Sequence, residues 1–98
     1  MMVFNASGFD WDNGNRAKCQ KHGVSIMEIE ALLTGKPKIA PDMNHSAEEE
    51  RYLAIGRTGT SRPLFVVYTL RNKKGKILMR PLHARYMHKK EIAGYEKT

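Results

Sequence analysis

The sequence predicts an α+β fold with two N-terminal helices, a twisted antiparallel sheet of three to four strands and a C-terminal helix. Two segments near the N-terminus each begin with a capping residue and end at a glycine, which indicates helices. Three apolar segments in residues 51–83 are separated by short turns that contain glycine, which indicates a sheet. The 98 residues fit one domain with a modest core, and we assign residues 1–98 to a single domain.

The first helix is predicted from about Asn13 to Lys21. Asp12 can cap its start, and Gly23 is a natural stop. The second helix is predicted after Ser25, which forms a capping box with the glutamate three positions later. A glycine and a proline then end it. Its apolar residues fall on one face, as expected for a helix packed on a core: Ile26, Ile29, Leu32 and Leu33.

The predicted strands lie mainly in the second half of the chain. A short first strand is expected within residues 3–9, a brief one at 38–40, and a polar loop at 41–50. Pro81 cannot donate to a strand ladder, so the last strand lies at an edge or is bulged there. A helix is expected from about Tyr86 onward. The three longer strands are expected to form an antiparallel meander at residues 51–58, 63–70 and 76–83.

Positive charge is concentrated at the C-terminal end. Residues 1–70 contain eight Lys or Arg and eight Asp or Glu, whereas residues 71–98 contain nine and two. The formal net charge of +7 therefore lies entirely in the last segment. A one-sided basic surface favours a nucleic acid or an acidic protein partner. A basic face that serves only solubility is the alternative.

Several functional classes lack the residue patterns that they need. Cys19 is the only cysteine, so no internal disulfide can form and a reducing, cytoplasmic location is expected. We expect no signal peptide and no contact with a membrane, since the apolar runs are short. The histidine and cysteine spacings match no metal motif, so we predict no metal site. No glycine-rich loop resembles a nucleotide-binding loop, so we expect no cofactor.

Two arginines near the end of the last predicted strand are candidates for binding an anion. Arg80 stands between leucines on a strand face, which is costly unless it meets an anion or a carboxylate. An ion pair with Glu49 or Glu50 is the structural alternative. Arg85 is expected at a helix N-terminus, where a phosphate is favoured and a cation is not.

Metal-independent RNA cleavage needs a base for the 2′-hydroxyl, cations for the phosphate and an acid for the leaving oxygen. Glu50 or a neutral histidine could be the base. Arg80 and Arg85 match phosphate oxygens in bidentate fashion. The composition permits this chemistry without establishing it. The candidates for the acid are His83, His88 and Tyr86.

Five stretches together carry a resemblance to a known family: "FDWD", "NRAKCQKHGVSIMEIEALL", "PDMNHSAEEERYLAIGRT", "RPLFVVYTLR" and "RPLHARYMHKKEIAGYEK". In order and spacing they resemble the BrnT toxins of type II toxin–antitoxin systems, from Phe9 to Lys97. The resemblance implies a RelE-like fold and a metal-independent ribonuclease that inhibits translation. It also implies a cognate antitoxin, BrnA, which neutralises the toxin and binds DNA, so that DNA is contacted only through the antitoxin.

Residues are carried over by position. Those that match the family's polar and aromatic positions are Trp11, Lys21, His22, Glu50, Arg51, Arg57, Arg80, Arg85 and Tyr86. We predict a catalytic set of Arg80, Arg85, Tyr86, His83, Glu50 and Lys21. We predict an RNA-binding set of Arg51, Arg57, His88, Lys89 and Lys90.

Some of these assignments have other interpretations. The family usually has Ser where this chain has His83, so no role for His83 is inherited. Lys21 and His22 are also suited to closing the first helix, where cations are favoured. Trp11 is better suited to packing that helix on the sheet than to stacking on a base. The alternative function is a non-catalytic basic module that binds nucleic acid or the antitoxin.

Overall fold

A computed structural model describes residues 6–43 and 49–97. Within these residues, three helices and a five-stranded mixed sheet form an α+β fold. The helices are α1 (Asn13–Gln20), α2 (Ile26–Thr34) and α3 (Lys89–Glu96). The strands are β1 (Gly8–Phe9), β2 (Lys38–Pro41), β3 (Tyr52–Arg57), β4 (Pro63–Lys73) and β5 (Lys76–Tyr86). In this part of the chain, no helix has the length and apolar character needed to cross a bilayer.

The described strands lie in the order β1-β5-β4-β3-β2. Strands β2 to β5 form the predicted antiparallel meander. The prediction of a wholly antiparallel sheet of three to four strands was wrong, because β1 adds a fifth strand parallel to β5. Gly8 lies opposite Leu78, and Phe9 lies opposite Met79. A strand of two residues has no alternation pattern, so the sequence does not reveal its partner. Residues 3–5 of the predicted first strand and 44–48 of the predicted loop lie outside the described residues.

A two-residue turn joins the two longest strands. Lys74 and Gly75 both have positive φ angles, of 53° and 80°. Such turns match the right-handed twist of the strands that they connect. Strand pairing therefore continues through most of the segment "RNKKGK", for which the sequence predicted a turn. Lys73 of β4 pairs with Lys76 of β5.

The last strand has a bulge at the predicted position. Tyr68 of β4 pairs with Pro81, whereas the preceding Val67 pairs with His83, so Leu82 is an extra residue in β5. A bulge suits this position because proline has no N–H to donate to the ladder. Of the two predicted possibilities, an edge strand or a bulge at Pro81, the structure has the bulge.

Helices α1 and α2 pack on one face of the sheet, and both predicted caps are present. The Asp12 carboxylate accepts from the Asn15 N–H (3.0 Å), and the Asn15 side chain accepts from the Asp12 N–H (2.7 Å). Ser25 and Glu28 form the second capping box. Cys19 is fully buried, and desolvation raises the pKa of its thiol to about 11, which suits a structural role in the core. The core here includes Val24, Ile29, Leu64, Val66 and Tyr68.

The C-terminal helix begins later than predicted. Tyr86 is still paired with Leu64 in the sheet, and α3 begins at Lys89 with His88 as its N-cap residue. The prediction failed because pairing with the distant strand β4 extends β5 beyond the point where local sequence favours a helix. Through Ile92, α3 packs against Ile55 and Met87 on the sheet face opposite α1 and α2.

Candidate functional site

The bulge places three side chains of β5 on one face. In a regular strand, Arg80 and Arg85 would point to opposite faces, because they are five positions apart. The extra residue shifts the alternation by one, so Arg80, His83 and Arg85 share a face. Their partners are alternate residues of β4, respectively Thr69, Val67 and Phe65.

An open cleft of about 820 Å³ lies over this face. This volume falls within the range of small-molecule sites. Leu53, Phe65 and Val67 supply apolar surface, and Asp42 is the one carboxylate among the described residues that line the cleft. The other charged or imidazole lining residues are Lys18, Lys21, His22, Arg51, Arg80, His83 and Arg85. The cleft therefore suits a polyanion, with apolar surface beside its cations.

The turn after α1 carries Lys21 and His22 to the cleft. Gly23 has a φ of 87°, a conformation that glycine adopts without strain, and its N–H donates to the Gln20 carbonyl oxygen (3.0 Å). The chain therefore reverses immediately after His22, and both basic side chains stay at the cleft.

His22 and His83 form a ring contact within the cleft. Their ring centroids are 5.7 Å apart, and the planes are nearly perpendicular at 87°. Desolvation lowers the pKa of His83 below 6.5, and the charges of His22, Arg85 and Lys21 lower it further. At neutral pH His83 is therefore a neutral imidazole, which can accept a proton.

Arg85 lies within β5 and not at a helix N-terminus as expected. Its guanidinium makes two hydrogen bonds to the Glu91 carboxylate of α3, at 3.0 and 2.7 Å. The guanidinium carbon also lies 4.6 Å from the centre of the Phe65 ring. The bond to Arg85 lowers the pKa of Glu91, so the pair is charged on both sides. A phosphate that binds this guanidinium in bidentate fashion must displace the carboxylate.

Arg80 forms ion pairs, but with other acids than expected. Its guanidinium lies 2.9 Å from the Asp12 carboxylate and 3.4 Å from that of Asp10, whereas the structural alternative to an anion site had named Glu49 or Glu50 as the partner. The parallel strand β1 ends beside β5 and brings both aspartates to Arg80, a contact that no local pattern signals. The Glu49 carboxylate instead lies 3.1 Å from Arg71.

Two predicted catalytic residues lie away from the cleft. Tyr86 points to the face of α1 and α2, where its hydroxyl donates to Glu28 (2.6 Å) and Arg62 lies 3.3 Å above its ring. Glu50 accepts from the Tyr52 hydroxyl (2.8 Å), and that ring packs against the same helical core. The structure therefore groups Arg80, His83, Arg85 and Lys21 and separates Tyr86 and Glu50 from them.

Of the five predicted RNA-binding residues, one lines the cleft and four do not. Arg51 lines the cleft. Arg57 lies outside it, where it makes two hydrogen bonds of 3.0 Å to Glu96. The remaining three are exposed where α3 begins and are not among the residues that line the cleft: His88, Lys89 and Lys90.

The sequence model of a family described as "Ribonuclease toxin, BrnT, of type II toxin-antitoxin system" matches residues 11–91. The chain belongs to the BrnT family. This confirms the resemblance, and membership implies an RNA substrate and a cognate antitoxin. No curated protein matches the chain significantly.

Sequence reasoning missed part of the cleft of this BrnT toxin. Lys18 lines its wall, and Asn15 is buried where α1 meets the bulge, whereas His22 was named as a family position but given no role in the cleft. The Asn15 amide nitrogen donates to the carbonyl oxygens of Asp10 and Pro81, both at 2.9 Å. Asn15 and Lys18 lie three positions apart on one face of α1, and this periodicity could have revealed them.

The BrnT cleft offers a particular set of reactive groups. Among the described residues, no three His, Cys, Asp or Glu side chains converge in a way that could hold a metal ion. Trp11, carried over with the family positions, donates to Glu30 (2.9 Å) and packs against the core, as the packing interpretation predicted. The groups that line the cleft and can do acid–base and electrostatic work are imidazoles, ammonium groups, guanidiniums and the carboxylate of Asp42.

Proposed function

We propose that this BrnT toxin cleaves RNA in the β5 cleft without a divalent metal, and that it inhibits translation by doing so. The observation that carries the proposal is the bulge, which aligns Arg80, His83 and Arg85 on one face beneath a basic cleft. Cationic side chains attract an RNA backbone through its phosphates. A neutral imidazole between two guanidiniums supplies a proton acceptor at the position where a phosphate binds.

The reaction uses the RNA's own nucleophile. His83 takes the proton of the 2′-hydroxyl, the 2′-oxygen attacks the adjacent phosphorus, and the bond to the 5′-oxygen breaks. The products are a 2′,3′-cyclic phosphate and, once the leaving oxygen has taken up a proton, a 5′-hydroxyl. Arg80 and Arg85 stabilise the charge that accumulates on the pentacoordinate phosphate, and Lys21 adds a third cation. Arg85 binds the phosphate when the phosphate oxygens replace the carboxylate oxygens of Glu91.

A non-catalytic basic module is the second candidate. The ion pairs of Arg80 with Asp10 and Asp12, and of Arg85 with Glu91, favour it, because arginines satisfied by carboxylates also serve structural roles. Such a module would bind RNA with a steep salt dependence but would release no product. Analysis of RNA ends separates the two functions.

We infer a RelE-like arrangement and a cytoplasmic site of action. Support for the arrangement comes from two N-terminal helices on one sheet face and a C-terminal helix on the other. Support for the location comes from the single cysteine, which is buried and suits a reducing compartment.

We propose that the partner is a BrnA-like, DNA-binding antitoxin that covers β5 and α3 with an acidic segment. Lys89 and Lys90 are exposed on α3 and suit such a segment. Of the residues expected to supply apolar anchors for the antitoxin, Met87 is buried against the sheet and is not available, whereas Tyr86 and Tyr95 are half-buried. Reversing both lysines to Glu should weaken antitoxin binding at low salt. Unchanged affinity would place the antitoxin on another surface.

The ribonuclease proposal is tested with purified protein in EDTA. RNA is incubated with the parent, with Arg85→Ala and with Lys36→Gln, an exposed control outside the cleft, in buffer and in a translating extract. We expect the parent and the control to produce cyclic phosphate ends and Arg85→Ala to lose at least about 100-fold in rate. Intact RNA with the parent in both settings would contradict the proposal.

A further inference from the structure

We propose that His22 is the general acid of the cleavage reaction and works with His83 on a single phosphate. This inference rests on the proposed ribonuclease function and adds a second catalytic residue to it. His83 takes the proton of the 2′-hydroxyl, and His22 gives a proton to the 5′-oxygen as it leaves.

The geometry of the two rings supports this pairing. With centroids 5.7 Å apart, two imidazoles from distant parts of the sequence reach one small region of the cleft. The attacking and leaving oxygens are bonded to the same phosphorus, so their proton acceptor and donor must both reach that one phosphate. The turn fixed by Gly23 holds His22 beside the strand that carries His83.

The surroundings of the rings assign the two roles. His83 is half-buried on the strand, with Arg85 on its own strand and Lys21 facing it, and these surroundings favour the neutral ring. His22 is exposed at the edge of the cleft, where water can return a proton to the ring after each turnover. The ring that its surroundings hold in the neutral form is therefore assigned the role of base, and the ring open to water is assigned the role of acid.

The other acids considered for this step lie elsewhere. Tyr86 donates to Glu28 on the opposite face of the sheet, and His88 is exposed where α3 begins and does not line the cleft. Over one turnover, the proton from the 2′-hydroxyl resides on His83, and the proton from His22 resides on the 5′-hydroxyl product. Exchange of one proton with water at each ring then restores the starting state.

The experiment uses two RNA substrates that differ at one atom. Both contain the linkage that the parent protein cleaves, and in one of them a sulfur replaces the bridging 5′-oxygen. A thiolate leaves without protonation, so the sulfur substrate needs a base but no acid. The full-length parent, His22→Gln, His83→Gln and the Lys36→Gln control are compared in buffer and on ribosomes. Circular dichroism and thermal unfolding check that each variant is folded.

We expect His22→Gln to lose at least about 100-fold on the oxygen substrate and to return to within about tenfold of the parent on the sulfur substrate. His83→Gln should be slow on both substrates. An equal loss of cleavage rate for His22→Gln on the oxygen and the sulfur substrate would overturn the proposal, because His22 would then only position the RNA. If the sulfur substrate instead restored the cleavage rate of His83→Gln, the assignment of His83 as base and His22 as acid would be overturned. A parent that cleaves neither substrate refutes the ribonuclease function itself, which is a distinguishable result.

Discussion

The Glu91 carboxylate occupies the position on Arg85 at which we propose that a phosphate of the RNA binds, so the two compete. The carboxylate holds both arms of the guanidinium at 3.0 and 2.7 Å, in the geometry that a phosphate would adopt. Replacing Glu91 with Gln removes the charge and one acceptor oxygen while keeping the size of the side chain. We therefore predict that Glu91→Gln binds RNA more tightly than the parent.

The exposure of the pair sets the size of the effect. The side chains of Arg85 and Glu91 are 36% and 31% exposed, so water and salt screen their attraction. Ion pairs this exposed contribute about 0.2 to 1 kcal/mol to stability. RNA affinity should therefore rise by a factor of up to about five at low salt. The gain should shrink as ionic strength increases, because the competing pair weakens together with the phosphate contacts.

The same helix provides a matched control. Glu96 makes two hydrogen bonds of 3.0 Å to Arg57, outside the cleft. Glu96→Gln changes the net charge by the same amount and also removes a bidentate pair that holds α3. Fluorescence anisotropy with a labelled RNA that cannot be cleaved, because it carries 2′-deoxy linkages, measures the affinity of both variants and the parent.

The comparison of the two variants decides the outcome. If Glu91→Gln gains affinity and Glu96→Gln does not, Arg85 binds phosphate where Glu91 now lies. Equal gains would mean that net charge alone controls RNA binding. No gain for Glu91→Gln at low salt would refute the competition between carboxylate and phosphate.

Three further predictions follow from individual contacts. Because its surroundings hold the pKa of His83 below 6.5, the neutral base persists down to that pH, and the acid limb of the pH–rate profile should have its midpoint below 6.5; a higher midpoint would contradict this. Tyr86→Phe removes the hydrogen bond to Glu28 and should lower the free energy of unfolding by about 1 kcal/mol, with cleavage kept within about tenfold, since the phenol faces away from the cleft. A larger loss of cleavage at full stability would return Tyr86 to the catalytic set. Gly56→Ala would place a methyl carbon 2.7 Å from Cδ1 of the buried Leu32, so urea unfolding should show a loss of about 1 to 3 kcal/mol, and an unchanged midpoint would show that Leu32 moves freely.

Local chemistry made much of the fold predictable. The caps at Asp12 and Ser25 follow from which side chains satisfy free amides, and both were found where expected. The irregularity at Pro81 follows from its missing N–H. Such features depend on a few neighbouring residues, so one sequence is enough to predict them.

Features set by distant pairing were not predictable in the same way. The two-residue strand β1 exists because Gly8 and Phe9 lie against β5, and β5 continues to Tyr86 because Leu64 pairs with it. Asp10 reaches Arg80 only through the same parallel pairing. These contacts join residues more than twenty positions apart, and no local pattern encodes them.

The site was predictable in residue type and less so in placement. Arg80, His83 and Arg85 were chosen for their chemistry, and the bulge happens to align them, whereas regular pairing would have separated the two arginines. Tyr86 and Arg57 were equally plausible by residue type. The strand register places Tyr86 on the opposite face of the sheet, and Arg57 is bound by Glu96 of the C-terminal helix. The direction of a bulge and the register of a sheet decide such cases.

The most direct test of the central claim compares two arginines that make the same kind of contact. Arg85 and Arg57 each hold a carboxylate of α3 in bidentate fashion, but only Arg85 lines the cleft. The initial rate of RNA cleavage in EDTA is measured for Arg85→Ala and Arg57→Ala at matched protein concentration. We predict a loss of at least about 100-fold for Arg85→Ala and no more than about threefold for Arg57→Ala. Equal rates for the two variants would contradict the assignment of catalysis to the β5 cleft.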